Sequence, residues 1–289
     1  MHYGILFALL ALVAWGFDDL FIEKSTRKLG DAITLFCVAT FGSIFLLPFV
    51  WTEITTRNFW TLGYPLLILL LATIVTTIAA LADYEALRTG KLSIVEPIYA
   101  LEVPITLVIS LLIIHENLTN LQLTLTLLLT AGIFLVASKT LKQFKNLTWE
   151  RGVRMALLSA SFMGITNFFT GLSGRLASPM AANWFIYSGL ALVMLVYLVV
   201  SKRMAEVTKA LSQHSKIIFA VSSADLIAWV SFTYSASYIP IALATAISEA
   251  YIALAALLGL FINKEKLKNH QLLGLVITVA TAITLSIIS

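Results

Sequence analysis

Six acidic residues fall inside long apolar stretches of the 289-residue chain, with no basic residue among them: Asp18, Asp19, Glu96, Glu102, Asp225 and Glu249. An ionised carboxylate in hydrocarbon is costly, by at least about 2.5 kcal/mol near the bilayer centre. It persists where it faces water, a partner or a ligand, or where it holds a proton. Binding a cation and exchanging a proton are therefore the two chemistries this pattern points to. Each acid also has a plain structural reading. Asp18 and Asp19 come late in the first apolar stretch, where Lys24 can pair with them, and Glu96 can pair with Lys91. Glu102 lies between Pro97 and Pro104, whose missing donors loosen a helix; it faces a cavity or makes a buried hydrogen bond. Asp225 shares a helical face with Ser222 and Trp229, while Glu249 has Thr245, Ser248 and Ala253 nearby on its helix. These two lead the set of substrate- or proton-binding candidates. Trp15, Tyr99, Trp229 and Tyr251 can wall a cavity or offer cation–π faces, with ordinary packing as the alternative.

Other chemistries find no support in the sequence. His2, His115, His214 and His270 all sit at segment ends, and neither His-Glu-x-x-His nor Gly-x-Ser-x-Gly occurs. Cys37 is the single cysteine, which rules out an intrachain disulfide and a cysteine metal cage. No enzyme activity, cofactor or metal site is expected. The formal charge of +4 does not indicate nucleic acid, because every Lys and Arg lies between apolar segments.

Positioning these acids falls to membrane-spanning helices. Hydrophobic residues make up 60% of the chain and charged ones 12%, with mean hydropathy +0.95. A water-soluble domain carries roughly twice that charged fraction. A span needs about 20 apolar residues. The runs predict ten, near 4–22, 32–51, 62–82, 93–114, 121–138, 155–172, 182–200, 217–236, 240–262 and 271–288. The first follows no basic n-region and precedes no cleavage site, so it is read as a retained span. Residues 139–154 form a basic linker, and residues 202–216 place Met204, Val207 and Leu211 at helical spacing, suggesting a short amphipathic helix on the inner leaflet. Loops on one side carry seventeen Lys and Arg, against Arg57 and Arg175 on the other. The positive-inside rule makes the crowded side cytoplasmic and turns both termini outward.

The two halves resemble each other. Residues 8–27 align without gaps with 156–175: Ala8/Ala156, Leu9/Leu157, Leu10/Leu158, Gly16/Gly164, Phe21/Phe169, Ser25/Ser173 and Arg27/Arg175 are identical, and Asp19 matches Asn167. Later, residues 94–101 resemble 247–254, pairing Glu96 with Glu249, and 115–122 resemble 264–271, pairing Glu116 with Glu265. Chance likeness between apolar helices is the bland alternative. Five spans per half is odd, so the second half enters the membrane in the opposite sense. Inverted repeats of this kind build secondary transporters with a midplane site, one repeat rocking against the other.

Ala14-Trp15-Gly16 with Lys24, the run Tyr84 to Ser93, Pro97 and Pro104, then Glu116, Leu118 and Gln122 carry a resemblance to a known family. In the second half Glu265, Leu267, Gln271 and Gly274 continue it. The chain resembles ten-span, EamA-like members of the drug/metabolite transporter superfamily along nearly its whole length. Ala253 departs from the pattern, standing where many relatives have proline, and many relatives are drawn with cytoplasmic termini. The resemblance implies an all-α integral membrane fold and a cavity lined by the first, third, fourth and matching second-half spans.

The expected protein is thus a multi-pass plasma (inner) membrane carrier with a first five-helix repeat over 1–138, a linker over 139–154 and a second repeat over 155–289. Its partners are a small-molecule substrate and the bilayer, as monomer or homodimer. With no basic residue to clamp a phosphate, a zwitterionic or cationic solute fits best, exported by proton coupling. Export of cationic drugs and a non-transporting structural subunit are the alternatives.

Overall fold

Apolar runs of this length leave the backbone no water to bond, and helices satisfy it internally. A computed structural model of the chain describes residues 2–56, 63–90, 92–138, 149–254 and 267–288. Its helices are α1 (His2–Leu29), α2 (Asp31–Thr56), α3 (Tyr64–Thr89), α4 (Leu92–Tyr99), α5 (Glu102–Ile113) and α6 (Asn120–Ala137). The second half contributes α7 (Arg151–Leu176), α8 (Pro179–Val200), α9 (Met204–Tyr238), α10 (Ile241–Glu249) and α11 (Asn269–Ile288). Among the described residues nine segments are long and apolar enough to cross a membrane, α4 and α5 together forming one over Ile94–Ile113. The shorter apolar segment Ile241–Leu254 is the described part of the span expected over 240–262. The rest of that span, most of the basic linker, Lys91 and Glu265 lie outside the described residues.

Helix lengths differ from the apolar runs in a consistent way. α1 continues to Leu29 and α3 to Thr89, so helix outlasts hydrophobicity at the end where the basic residues gather. The expected short helix over 202–216 is instead the first part of α9, joined to the span through a bend at His214 (φ −130°, ψ 24°). Its apolar face is covered by protein rather than lipid: Val207 and Ala210 pack with Ile33, Cys37, Leu198 and Ile218. Leu211 points away, 49% exposed.

The main packings are α1 on α9, α3 on α7, α2 on α8 and α6 on α11. Exchanging the halves (α1 for α7, α2 for α8, α3 for α9, α6 for α11) turns the first pair into the second and leaves the other two unchanged. α6 and α11 approach backbone to backbone. A Cβ on Gly132 would lie 2.5 Å from Thr278 Oγ1, and one on Gly274 would lie 2.6 Å from Val136 N and 2.7 Å from Gly132 O. Small residues permit such close approach where no hydrophobic effect drives helices together.

Ion pairs fasten both ends. Arg88 pairs with Asp31 at 2.9 Å and with Glu85, and Arg151 pairs with Glu85 at 2.5 Å, tying α2, α3 and α7 together. At the opposite end His115 adopts a left-handed backbone (φ 50°) that turns the chain out of α5. Glu116 then accepts from Ile241 N at 2.7 Å and Ala242 N at 3.2 Å, and pairs with Arg175 at 2.8 Å. Arg175 also donates to Ala236 O and Ile239 O, which lie at the end of α9 and just beyond it. A loop-end acid is expected to cap the next helix; Glu116 instead caps α10 in the other half, while α6 has its own capping box of Thr119 and Gln122. Glu116→Ala is expected to lower stability by about 2 kcal/mol, since it strands two amide donors and removes the carboxylate partner of Arg175. Thermal unfolding in detergent reads this, and an unchanged midpoint would show that the latch bears no load.

Candidate functional site

One central cavity gathers residues from α1, α2, α3, α7, α8, α9, α10 and the two interrupted segments. It encloses about 850 Å³ of void, including the part open to solvent. α1 presents Trp15, Asp18, Asp19 and Ile22 to it, a spacing of three and four that keeps all four on one helical face. α7 presents Met163, Asn167 and Thr170, which the gapless alignment of the halves pairs with Trp15, Asp19 and Ile22. The same register pairs Leu35 of α2 with Asn183 of α8, and Val38 with Ile186, and all four line the wall. Matched positions of the repeat therefore occupy matched positions around one void.

Two spans break beside the cavity. Between α4 and α5 the chain turns at Ala100–Leu101, and Leu101 N bonds back only to Ile98 O. Pro104 has no N–H to offer the carbonyl of Ala100, four residues earlier, so the helix cannot run through. Glu102 follows this break directly. Its backbone is held close to α7: a Cβ on Gly164 would lie 2.9 Å from Glu102 O, and Thr106 Oγ1 donates to both Gly164 O and Glu102 O. The second break comes at Ala250, immediately after Glu249. No proline causes it. Ser248 Oγ donates to Ala244 O and Thr245 O, and such back-bonding competes with the helix ladder and bends it.

Six carboxyls line the cavity: Asp18, Asp19, Asp83, Glu102, Asp225 and Glu249. Among the described residues no Lys, Arg or His shares the wall. Tyr187 donates to Asp225 at 2.5 Å, Tyr251 to Asp19 at 2.6 Å, and Ser159 reaches Asp83 at 3.4 Å. Asp18 Oδ1, Tyr99 Oη, Thr76 Oγ1, Thr170 Oγ1 and both amide atoms of Asn167 are buried with no hydrogen-bond partner among the described residues. Asn167 faces Glu102 and Glu249 without the geometry of a full hydrogen bond to either. Buried polar atoms left unpaired are costly, and their convergence on one void marks a place where a ligand or water completes the bonding. Trp15 and Trp229 meet edge to face with centroids 5.4 Å apart, and Phe232 packs against both, tilted to Trp15 and edge to face with Trp229.

Of the candidates, Asp18, Asp19, Glu102, Asp225 and Glu249 come together here with Trp15, Tyr99, Asn167, Trp229 and Tyr251. Asp18 and Asp19 are mid-helix rather than terminal, because α1 outlasts its apolar run. Glu96 is not on the wall. It sits a turn before Tyr99, where the charges it faces are Asp19 and Glu23. Its pairing with Glu249 also fails in space: Glu249 abuts its break, whereas Glu96 precedes its own by a full turn. Asp83 is the acid that sequence reasoning misses. It follows the last apolar residues of the third run, and Glu85 and Arg88 just beyond make the stretch look like a loop; the run of helix formers from Ala79 to Leu87 is the signal that α3 continues.

A helical bundle of this kind around a buried polar cavity defines a multi-pass membrane protein of the transporter class. The model of the EamA-like transporter family matches the chain twice, over residues 2–138 and 150–287. The chain belongs to the EamA-like transporter family, consistent with the wider drug/metabolite transporter superfamily. Uncharacterized transporter YvbV of Bacillus subtilis (strain 168) is 29% identical over 142 residues, which is 48% of this chain and 46% of YvbV, so the match spans about half of that relative. A crystal structure of another protein shares the fold with a TM-score of 0.70 at 12% identity, covering 99% of this chain and 96% of the other.

Proposed function

We propose that the protein is a secondary carrier that moves small cationic or zwitterionic metabolites, amino acids among them, across the plasma membrane in exchange for protons. The observation that carries this is the cavity wall of six carboxyls with no basic residue. Such a wall cannot hold six negative charges unneutralised. Either cations or protons must compensate it, so a cationic group that enters displaces protons and one that leaves is replaced by them. That is the logic of exchange. A zwitterion's carboxylate finds neutral donors in Asn167, Thr76 and Thr170, all without a hydrogen-bond partner among the described residues.

The exchange symmetry of the packings, with five spans per half, supports inverted repeats and alternating access around this cavity. The crowding of basic residues at one end supports placing that end in the cytoplasm. A carrier rather than a catalyst suits a void whose polar atoms contact solute without a nucleophile–base pair.

Counterflow of labelled amino acids into proteoliposomes tests the reading. Wild type is expected to respond to an imposed pH gradient, and Glu249→Gln to lose that response. Counterflow that ignores the gradient in wild type would remove proton exchange, and a lack of uptake of every amino acid in folded protein would remove that substrate class.

A further inference from the structure

Six carboxyls line the cavity without any three converging among the described residues, and two of them neighbour both of the pairs that the other four form. Asp18 of α1 has Asp225 of α9 as its foremost neighbouring charge, then Asp19 and Asp83. Glu102, at the start of α5, has Glu249 of α10, then Asp83 and Asp19. Neither pair has a member of the other among its interacting charges, while Asp19 and Asp83 neighbour both Asp18 and Glu102. Among the described residues no three of these groups converge as a metal ion requires. The charge is strung along the void instead of focused on a point. Trp15, Tyr84, Tyr99 and Trp229 line the same wall.

We propose that the site selects organic dications: linear aliphatic diamines whose two ammonium groups occupy the Asp18–Asp225 end and the Glu102–Glu249 end, with the carbon chain against the aromatic faces. This narrows the solute class of the carrier reading and rests on it for transport, though not for binding. A compact divalent ion meets only one pair at a time. A monoamine neutralises one pair and leaves the other to protons. A diamine of suitable length satisfies both, and its methylenes meet ring faces that attract the adjacent ammonium charge. The unpartnered Asp18 Oδ1 at one end and Asn167 amide at the other supply further polar contacts.

The test uses purified full-length protein and three probes of similar length: cadaverine, n-pentylamine and lysine. Binding is read by calorimetry in detergent, and transport by counterflow of labelled cadaverine in proteoliposomes. Cadaverine is expected to bind at least about tenfold more tightly than n-pentylamine, one ammonium contact being worth that much. Lysine, which adds a carboxylate, is expected to fall between them. Asp225→Asn and Glu102→Gln, at opposite ends, should each shrink the diamine preference to about twofold or less. Equal binding of cadaverine and n-pentylamine by wild type would overturn the proposal even if neither variant folds, and so would a preference that survives both substitutions. Amino-acid counterflow without diamine preference would leave the carrier reading intact and remove only the dication. Tight cadaverine binding without counterflow of any probe would do the reverse.

Discussion

Gly274→Ala is expected to lower stability by about 3 kcal/mol, although it adds a single methyl group and improves helix propensity. The added Cβ would meet Val136 N at 2.6 Å and Gly132 O and Leu135 Cβ at 2.7 Å. Two of these three atoms are backbone, so no rotamer change relieves the overlap, and α6 must move away from α11 along its length. The facing Gly132, itself tight against Thr278, prevents the gap from being taken up on the other side. Gly16→Ala is the control. There the nearest atom stands 3.9 Å away, and the change should be neutral or slightly stabilising. Thermal unfolding of both variants in one detergent separates the cases. Equal midpoints would mean that the two helices are not in backbone contact.

Thr76→Lys should reduce exchange of cationic solutes by at least about 100-fold, equivalent to about 2.7 kcal/mol of lost binding. The Thr76 hydroxyl lies on the cavity wall with no partner among the described residues. A lysine there delivers a tethered ammonium to carboxyls that have no basic neighbour, filling by intramolecular contact the place a solute would take. Effective concentrations on short tethers reach the millimolar range, which free solute seldom matches. Folding should survive, since the added charge is the kind the wall lacks. Thr76→Met, of similar reach but uncharged, should keep most of its exchange. If Thr76→Lys exchanged as fast as wild type, these carboxyls would not be where the cation binds.

Much of the fold could be read from the chain because the bilayer imposes one rule on it: apolar runs of spanning length must be helical. The acids stood out against those runs for the same reason. Helix ends were less legible. Leu29 and Thr89 lie beyond the apolar segments, where helix is sustained by packing and by ion pairs such as Arg88–Asp31 that no local pattern announces. Asp83 was hidden by this effect, and Asp18 and Asp19 looked closer to the surface than they are. Depth beside a break was equally obscure. Pro97 and Pro104 mark an interrupted helix, but only the missing donor to Ala100 fixes the turn after Tyr99, putting Glu102 on the wall and leaving Glu96 off it. Glu116 is the extreme case. Its partners, Arg175 and the start of α10, lie in the other half, and local spacing carries no trace of them.

The cross-half packings have a mechanical consequence. α1 is laid against α9 and α10, while α3 is laid against α7, which also holds α4 and α5. Rigid units built on these packings would be mixed in origin, one led by the first and eighth spans and the other by the third and sixth, and would not follow the two halves of the chain. A spectroscopic ruler from α1 to α3, inside one half, should register any rearrangement of the cavity, whereas a ruler from α1 to α9, spanning the two, should stay nearly constant throughout it.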